Sequence, residues 1–324
     1  MTALAIILVG LALVICSLAG FAAYTAQRVE SADPPRGRFL ELDGCRIHYV
    51  DEGAGPPLFL IHGLAGQLGN FTYALVGRLA KDFRVVAVDR PGSGYSTRPN
   101  GADSRLRAQG DLMARLIGAL KLDRPLVVGH SLGGAIALAI GLDHPECTSG
   151  LALIAPVTQT VETVPEAFRG LDIKSPFMRM IIAWTLAAPF GMLSADRVLR
   201  QVFAPEQVPP DFLTRGGGAL GLRPQSFYGA STDLEAVNDG FADIIRRYPT
   251  LTIPVGILFG KGDRLLDYRL HGQATKNQIP NLDLELMEGG HMLPVTAPDA
   301  AADFIRRMAR AAAKARLIGE RPET

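Results

Sequence analysis

A single serine stands between two glycines in VVGHSLGG, residues 127 to 134, where an apolar run ends and a segment of helical composition begins. Gly129-His130-Ser131-Leu132-Gly133 is G-x-S-x-G in a strand-turn-helix setting, the local context that lifts a serine clear of a sheet edge. A turn that tight has no room for side chains at the flanking positions, so glycine belongs there. Free N–H groups and the helix dipole at the following N-terminus favour negative charge developing beside the hydroxyl. The same residues also suit a plain glycine-rich turn with an N-capping serine. A base and an acid within reach of Ser131 decide between the two, because a serine hydroxyl is a poor nucleophile until a base takes its proton.

Six histidines are available as the base. His130 adjoins the serine and points elsewhere, His48 sits in a first hairpin, His62 ends an early strand, and His144 and His271 fall on helices or their ends. His291 differs, since it follows the last strand LDLELMEGG in a glycine-flexible loop. That is the C-terminal edge of the sheet, where open α/β sheets build their sites. The acid should follow another strand end, and Asp263 in ILFGKGDRLLD does so, with Asp267 as a weaker substitute. The stretch VTQTV after GLALIAP offers no acid. Asp89 in DRPGSGYS reads as a turn residue, and Asp299 as belonging to the first turn of the last helix.

The elements that must position these residues follow a clear rhythm. FLELDG and CRIHYVDEG form a hairpin joined at Asp43-Gly44. The runs PLFLIHG, RVVAVDR, PLVVGHS and GLALIAP then alternate with helical segments near 70–80, 102–121 and 132–144. Runs apolar on both faces between helices describe a parallel sheet covered on each side. From 157 to 249 the rhythm breaks into a proline-punctuated, mostly helical insertion, after which VGILFGKGD and LDLELMEGG resume it, with helices near 265–277 and 298–314. The core is thus expected in two parts, 39–156 and 250–314, with a charged tail over 315–324.

Residues 1–27 carry no charge, contain no proline and are long enough for the roughly 20 residues of a membrane helix. An uncleaved single-pass anchor is the expectation; a signal peptide is the rival, although its positive n-region is missing. Arg28, Arg36 and Arg38 follow the span, a small bias toward a cytoplasmic C-terminal domain that leaves the side open. Residues 28–38, with their Pro-Pro break, read as a short polar linker.

Composition narrows the partners. With 33 Lys and Arg against 32 Asp and Glu and no basic block, nucleic acid is excluded as an expected partner. Cys16, Cys45 and Cys147 are odd in number and widely spaced, suggesting neither a disulfide framework nor a zinc site.

The order Ser131, Asp263, His291 is that of the α/β-hydrolase family. From about Phe39 to Arg310 the chain resembles that family in IHGLAG, VDRPGSGYS, the serine turn, FGKGD and EGGHMLP. The resemblance implies an α/β-hydrolase fold: a mostly parallel eight-stranded sheet flanked by helices, with a helical cap at 157–249. It also implies an oxyanion hole from the backbone N–H groups of Leu64 and Leu132. Members with aspartate at the elbow open epoxides or displace halide, and Ser131 argues for acyl transfer to water without metal or organic cofactor. The cap contains FMRMIIAWTLAAPFGML, whose Met180, Ile181 and Trp184 are expected either to touch an acyl chain or to pack as the core of the cap helices. An anchored, capped serine hydrolase is similar to membrane-bound monoacylglycerol lipases. The competing readings are a carbon–carbon bond hydrolase of aromatic ring cleavage, whose HGxGPG loop is replaced here by HGLAGQLGN, and a non-catalytic binding protein on the same scaffold. Oligomeric state is not legible.

Overall fold

The computed structural model describes residues 3–319. Among them, eight strands form one sheet in the order β1-β2-β4-β3-β5-β6-β7-β8. The strands are β1 (Arg38–Leu42), β2 (Cys45–Glu52), β3 (Pro57–Ile61), β4 (Arg84–Val88), β5 (Leu126–His130), β6 (Gly150–Ile154), β7 (Val255–Gly260) and β8 (Asp283–Met287). β1 and β2 are antiparallel to their neighbours, and β3 to β8 are parallel. The hairpin turn is Asp43-Gly44, both at positive φ (51° and 77°), as a two-residue connection requires.

The helices, in chain order, are α1 (Ala3–Ala32), the single turns α2 (Gly69–Thr72) and α3 (Val76–Leu79), α4 (Leu106–Ala119), α5 (Leu132–Asp143), α6 (Pro176–Thr185), α7 (Ala187–Phe203), the turn α8 (Phe212–Arg215), α9 (Pro224–Ala236), α10 (Phe241–Arg246), α11 (Leu293–Thr296) and α12 (Pro298–Gly319). The sheet is sandwiched because its strands are apolar on both faces. Phe59, Ile61, Val127 and Leu153 pack toward α4 and α5, while the alternate residues Leu58, Leu60, Val128 and Ile154 pack toward α3 and α12. Between β6 and β7 the described residues contain helices, turns and irregular stretches but no strand.

Four boundaries differ from the sequence reading. The expected helix at 70–80 is two separate turns, and that at 265–277 shortens to a π-helical segment, Arg269–Ala274. The tail expected from 315 is helical through Gly319 as the end of α12; the rest of that tail lies outside the described residues. The expected linker 28–38 begins inside α1, which runs on to Ala32. The extension has packing to support it: Ala22, Thr25 and Val29 are buried, and Glu30 pairs at 2.9 Å with Arg223, itself buried at the N-terminus of α9. The remaining connector is tied to the core, with the Tyr95 hydroxyl donating to the Asp33 carbonyl (2.5 Å). The His48 ring bridges the Arg36 carbonyl (2.8 Å) and the buried Asp89 carboxylate (2.7 Å).

Candidate active site

β5 ends at His130 and α5 begins at Leu132, so Ser131 alone makes the turn. Its φ of 53° and ψ of −120° lie where a residue with a Cβ is strained by about 1–3 kcal/mol. The flanking glycines make the turn possible. A Cβ on Gly129 would stand 2.5 Å from the Gly133 carbonyl oxygen, and one on Gly133 would stand 2.1 Å from that of Ile61. Ser131 occupies the N-cap position of α5 yet its side chain makes no capping hydrogen bond. The capping explanation of this serine is thereby removed.

His291 and Asp263 meet as a pair. Asp263 follows β7, where one carboxylate oxygen accepts from the N–H groups of Leu265 (2.8 Å) and Leu266 (3.0 Å). Its other oxygen accepts from His291 Nδ1 at 2.7 Å. Burial would raise the Asp263 pKa, but the His291 ring and the hydrogen bonds from His291, Leu266 and Leu265 outweigh it and hold the carboxyl below the usual range. With Nδ1 donating to an ionised carboxylate, Nε2 is left as the basic nitrogen of the neutral ring. Asp267 does not compete: it is exposed and accepts from the Arg269 N–H. Asp299 lies in the first turn of α12 and pairs with Arg78 at 2.6 Å.

Two supports of His291 have no local signature in the sequence. The His130 ring packs on the His291 ring, 4.9 Å away, and its Nε2 donates to the His291 carbonyl oxygen at 3.0 Å. Burial first, and the neighbouring His291 second, lower the His130 pKa to about 3 and keep it neutral. Glu206, from the segment after α7, accepts from the Gly290 N–H at 3.0 Å and so clamps the loop that carries His291.

A cavity of about 570 Å³ opens over these residues and is lined by Ser131, His291, Leu64 and Leu132 together. Among the described residues, neither the Leu64 nor the Leu132 N–H donates to a protein partner. The remaining wall comes chiefly from the segment after β6, including Val157, Val161 and Phe168, from Leu234 and Val237, and from Leu265, Leu266, Asp267, Leu270 and His271. His271 accepts from the Thr158 N–H at 3.1 Å, and burial lowers its pKa to about 4.

Met180, Ile181 and Trp184 are not part of this wall and stand exposed on the outer side of α6. The cause is Arg179, the one charge in that stretch, which is buried and donates to Ser231 (2.9 Å), Thr232 (3.1 Å) and the Ile173 carbonyl (2.8 Å). Turning Arg179 inward turns the large apolar side chains outward. Among the described residues no three of His, Cys, Asp and Glu converge as a metal site would need.

Residues 56–298 match the family described as the alpha/beta hydrolase fold. The chain belongs to this family. It is 30% identical over 290 residues to an uncharacterized protein of Mycobacterium tuberculosis, covering 86% of this chain and 82% of that one. A 2-hydroxymuconate semialdehyde hydrolase of a Pseudomonas strain is 37% identical over 139 residues, 40% of this α/β hydrolase and 49% of the relative. Among solved structures, an alpha/beta hydrolase fold protein from Burkholderia ambifaria superposes with a TM-score of 0.71 at 26% identity, over 83% of this chain and 96% of that one.

Proposed function

We propose that this α/β hydrolase is a serine esterase that cleaves carboxylic esters of apolar acyl groups through an acyl-enzyme on Ser131. The observation that carries the reading is the convergence of a strained, uncapped serine and a buried His–Asp pair on one largely apolar cavity. His291 Nε2 takes the hydroxyl proton as Ser131 Oγ attacks the ester carbonyl, and the resulting imidazolium is stabilised by Asp263. The tetrahedral oxyanion accepts from the N–H groups of Leu64 and Leu132, which have no other work. The proton passes from His291 to the leaving alcohol, and water enters by the same route in reverse to release the acid. The apolar residues Val157, Phe168, Leu234 and Val237 hold the acyl group.

The same reading places the protein at a membrane. α1 reaches a mean hydropathy of 2.8 over a window none of which is buried, as an anchor would. α6 and α7 meet at 77° and carry exposed Phe177, Trp184, Phe190 and Leu193 beside the last turns of α1, so this face of the cap rests on the lipid surface. In this arrangement 157–249 is the cap and Met180, Ile181 and Trp184 meet lipid, with the acyl chain held elsewhere.

A panel of p-nitrophenyl esters of increasing chain length tests the reaction. Turnover that rises from acetate to longer acyl groups supports it. The likeness to the semialdehyde hydrolase favours a second reading, carbon–carbon bond hydrolysis, for which a vinylogous 1,5-diketone would be consumed faster than any ester. A folded protein that takes no fluorophosphonate label supports the third reading, a binding protein on this scaffold.

A further inference from the structure

The peptide between Gly63 and Leu64 carries the N–H assigned above to the oxyanion, and its other edge is held with unusual firmness. The Gly63 carbonyl oxygen accepts from Arg90 Nη2 at 2.9 Å, from His62 Nδ1 at 2.8 Å and from the Gly66 N–H at 3.3 Å. Arg90 Nε also donates to the His62 carbonyl at 3.0 Å. The His62 tautomer follows from its neighbours: Nε2 accepts from the Arg90 N–H at 3.0 Å, so Nδ1 bears the proton. A peptide is planar, with its C=O and N–H pointing opposite ways, so three donors on the oxygen fix the direction of the Leu64 N–H. A guanidinium on the oxygen also polarises the unit and makes that N–H a stronger donor.

Arg90 is in turn gripped by the cap. Its side chain has no exposure, and Nη1 donates to Asp233 of α9 at 2.5 Å and to Gln109 of α4 at 2.8 Å. Asp233 is equally buried and also pairs with Arg98 at 2.5 Å. A buried ion pair is a poor device for stability alone, since an apolar pair of the same volume commonly does as well or better. Here it joins α9, whose next residue, Leu234, lines the cavity, to the loop that carries the oxyanion donor.

We propose that Arg90 is a positioning residue of the oxyanion hole and that Asp233 couples it to the seating of the cap. The inference rests on the assignment of Leu64 N–H as an oxyanion donor. When α9 is in place, Asp233 holds the guanidinium against Gly63 and the Leu64 N–H is aimed beside Ser131. When α9 shifts, Arg90 loses its counter-ion and the donor loses its aim, so full activity requires a closed cap.

The test uses the full chain in detergent, with p-nitrophenyl butyrate as substrate and butylboronic acid as the inhibitor whose serine adduct places a boron-bound oxygen in the hole. Arg90→Lys keeps the charge and loses the fork. It is expected to lower kcat by about 10- to 100-fold, below the full loss of a hole donor, with KM within about twofold. Boronate affinity should weaken by the same factor as kcat. Asp233→Asn should move kcat and boronate affinity the same way by about tenfold. A folded Arg90→Lys enzyme with kcat near wild type, or with its loss in KM alone, overturns the inference. If Arg90→Lys does not fold, Asp233→Asn decides by the same criteria. Wild-type protein that fails to react with a fluorophosphonate overturns the underlying reading as well, whereas normal labelling with an indifferent Arg90→Lys overturns the inference alone.

Discussion

Gly63 approaches Ser131 so closely that a Cβ on it would stand 2.8 Å from the serine Cβ and 3.3 Å from Oγ. Neither group can yield easily, because Ser131 is fixed by the turn between β5 and α5 and Gly63 by Arg90 and His62. Gly63→Ala is therefore expected to displace the Leu64 N–H and lower kcat by about 10²-fold, the order seen when a hole donor is lost. Circular dichroism should stay native. A Gly63→Ala enzyme with kcat near wild type would show that the loop does not serve the reaction.

Asp263 and Asp267 make a controlled pair, four positions apart with one buried against His291 and the other exposed. Asp263→Asn should lower kcat by about 10⁴-fold, through loss of the tautomer and of imidazolium stabilisation. Asp267→Asn should cost less than about tenfold, because Asp267 lines the cavity wall but makes no bond to the His291 ring. Comparable activities for the two variants would mean that Asp263 is not the orienting acid.

The strands were legible because each apolar run is short and bounded by turn residues, a pattern that buried parallel strands share. The placement of Ser131, Asp263 and His291 was legible because each follows a strand end, where local chemistry and topology coincide. The face of α6 was not. Residues 177–193 are apolar at too many positions to define one stripe, and only the partners of Arg179, supplied by the Ile173 carbonyl and by α9, decide which side turns inward. Arg90 and Asp233 were equally silent, since 143 positions separate them and nothing local marks the contact. The same holds for Glu206 and the loop of His291.

Stability should fall as the pH drops from 6.5. Burial lowers His130 to about 3 and His271 to about 4, and lowers His62 well below 6.5. Between those values and 6.5 the unfolded chain binds protons that the native state refuses, so each histidine removes about 1.4 kcal/mol per pH unit. Their contribution is whole above 6.5. The depressed pKa of Asp263 adds its own loss only below about 3.8, where the unfolded carboxyl takes its proton first. Denaturant titrations at pH 7 and pH 5 check this: a steep fall is expected, with a shallower slope in His271→Gln. A flat profile would contradict the buried neutral state of these rings.

The exposed and cavity-lining apolar residues should separate cleanly in experiment. Trp184→Asp is expected to reduce binding to phospholipid vesicles and leave kcat/KM for dissolved p-nitrophenyl butyrate within about twofold. Val237→Trp fills the cavity and should raise KM for long acyl chains by about tenfold while sparing acetate. Sedimentation with vesicles and an ester chain-length series read the two effects. A chain-length effect from Trp184→Asp on dissolved esters would return that residue to the substrate path.

The identity of the nucleophile is the claim on which the rest depends, and intact-mass spectrometry after reaction with a fluorophosphonate reads it directly. One adduct is expected, mapped to the peptide bearing Ser131, abolished in Ser131→Ala together with ester hydrolysis, and formed far more slowly in Asp263→Asn. A folded protein that takes no label, or a Ser131→Ala chain that still hydrolyses esters at the wild-type rate, would contradict the account.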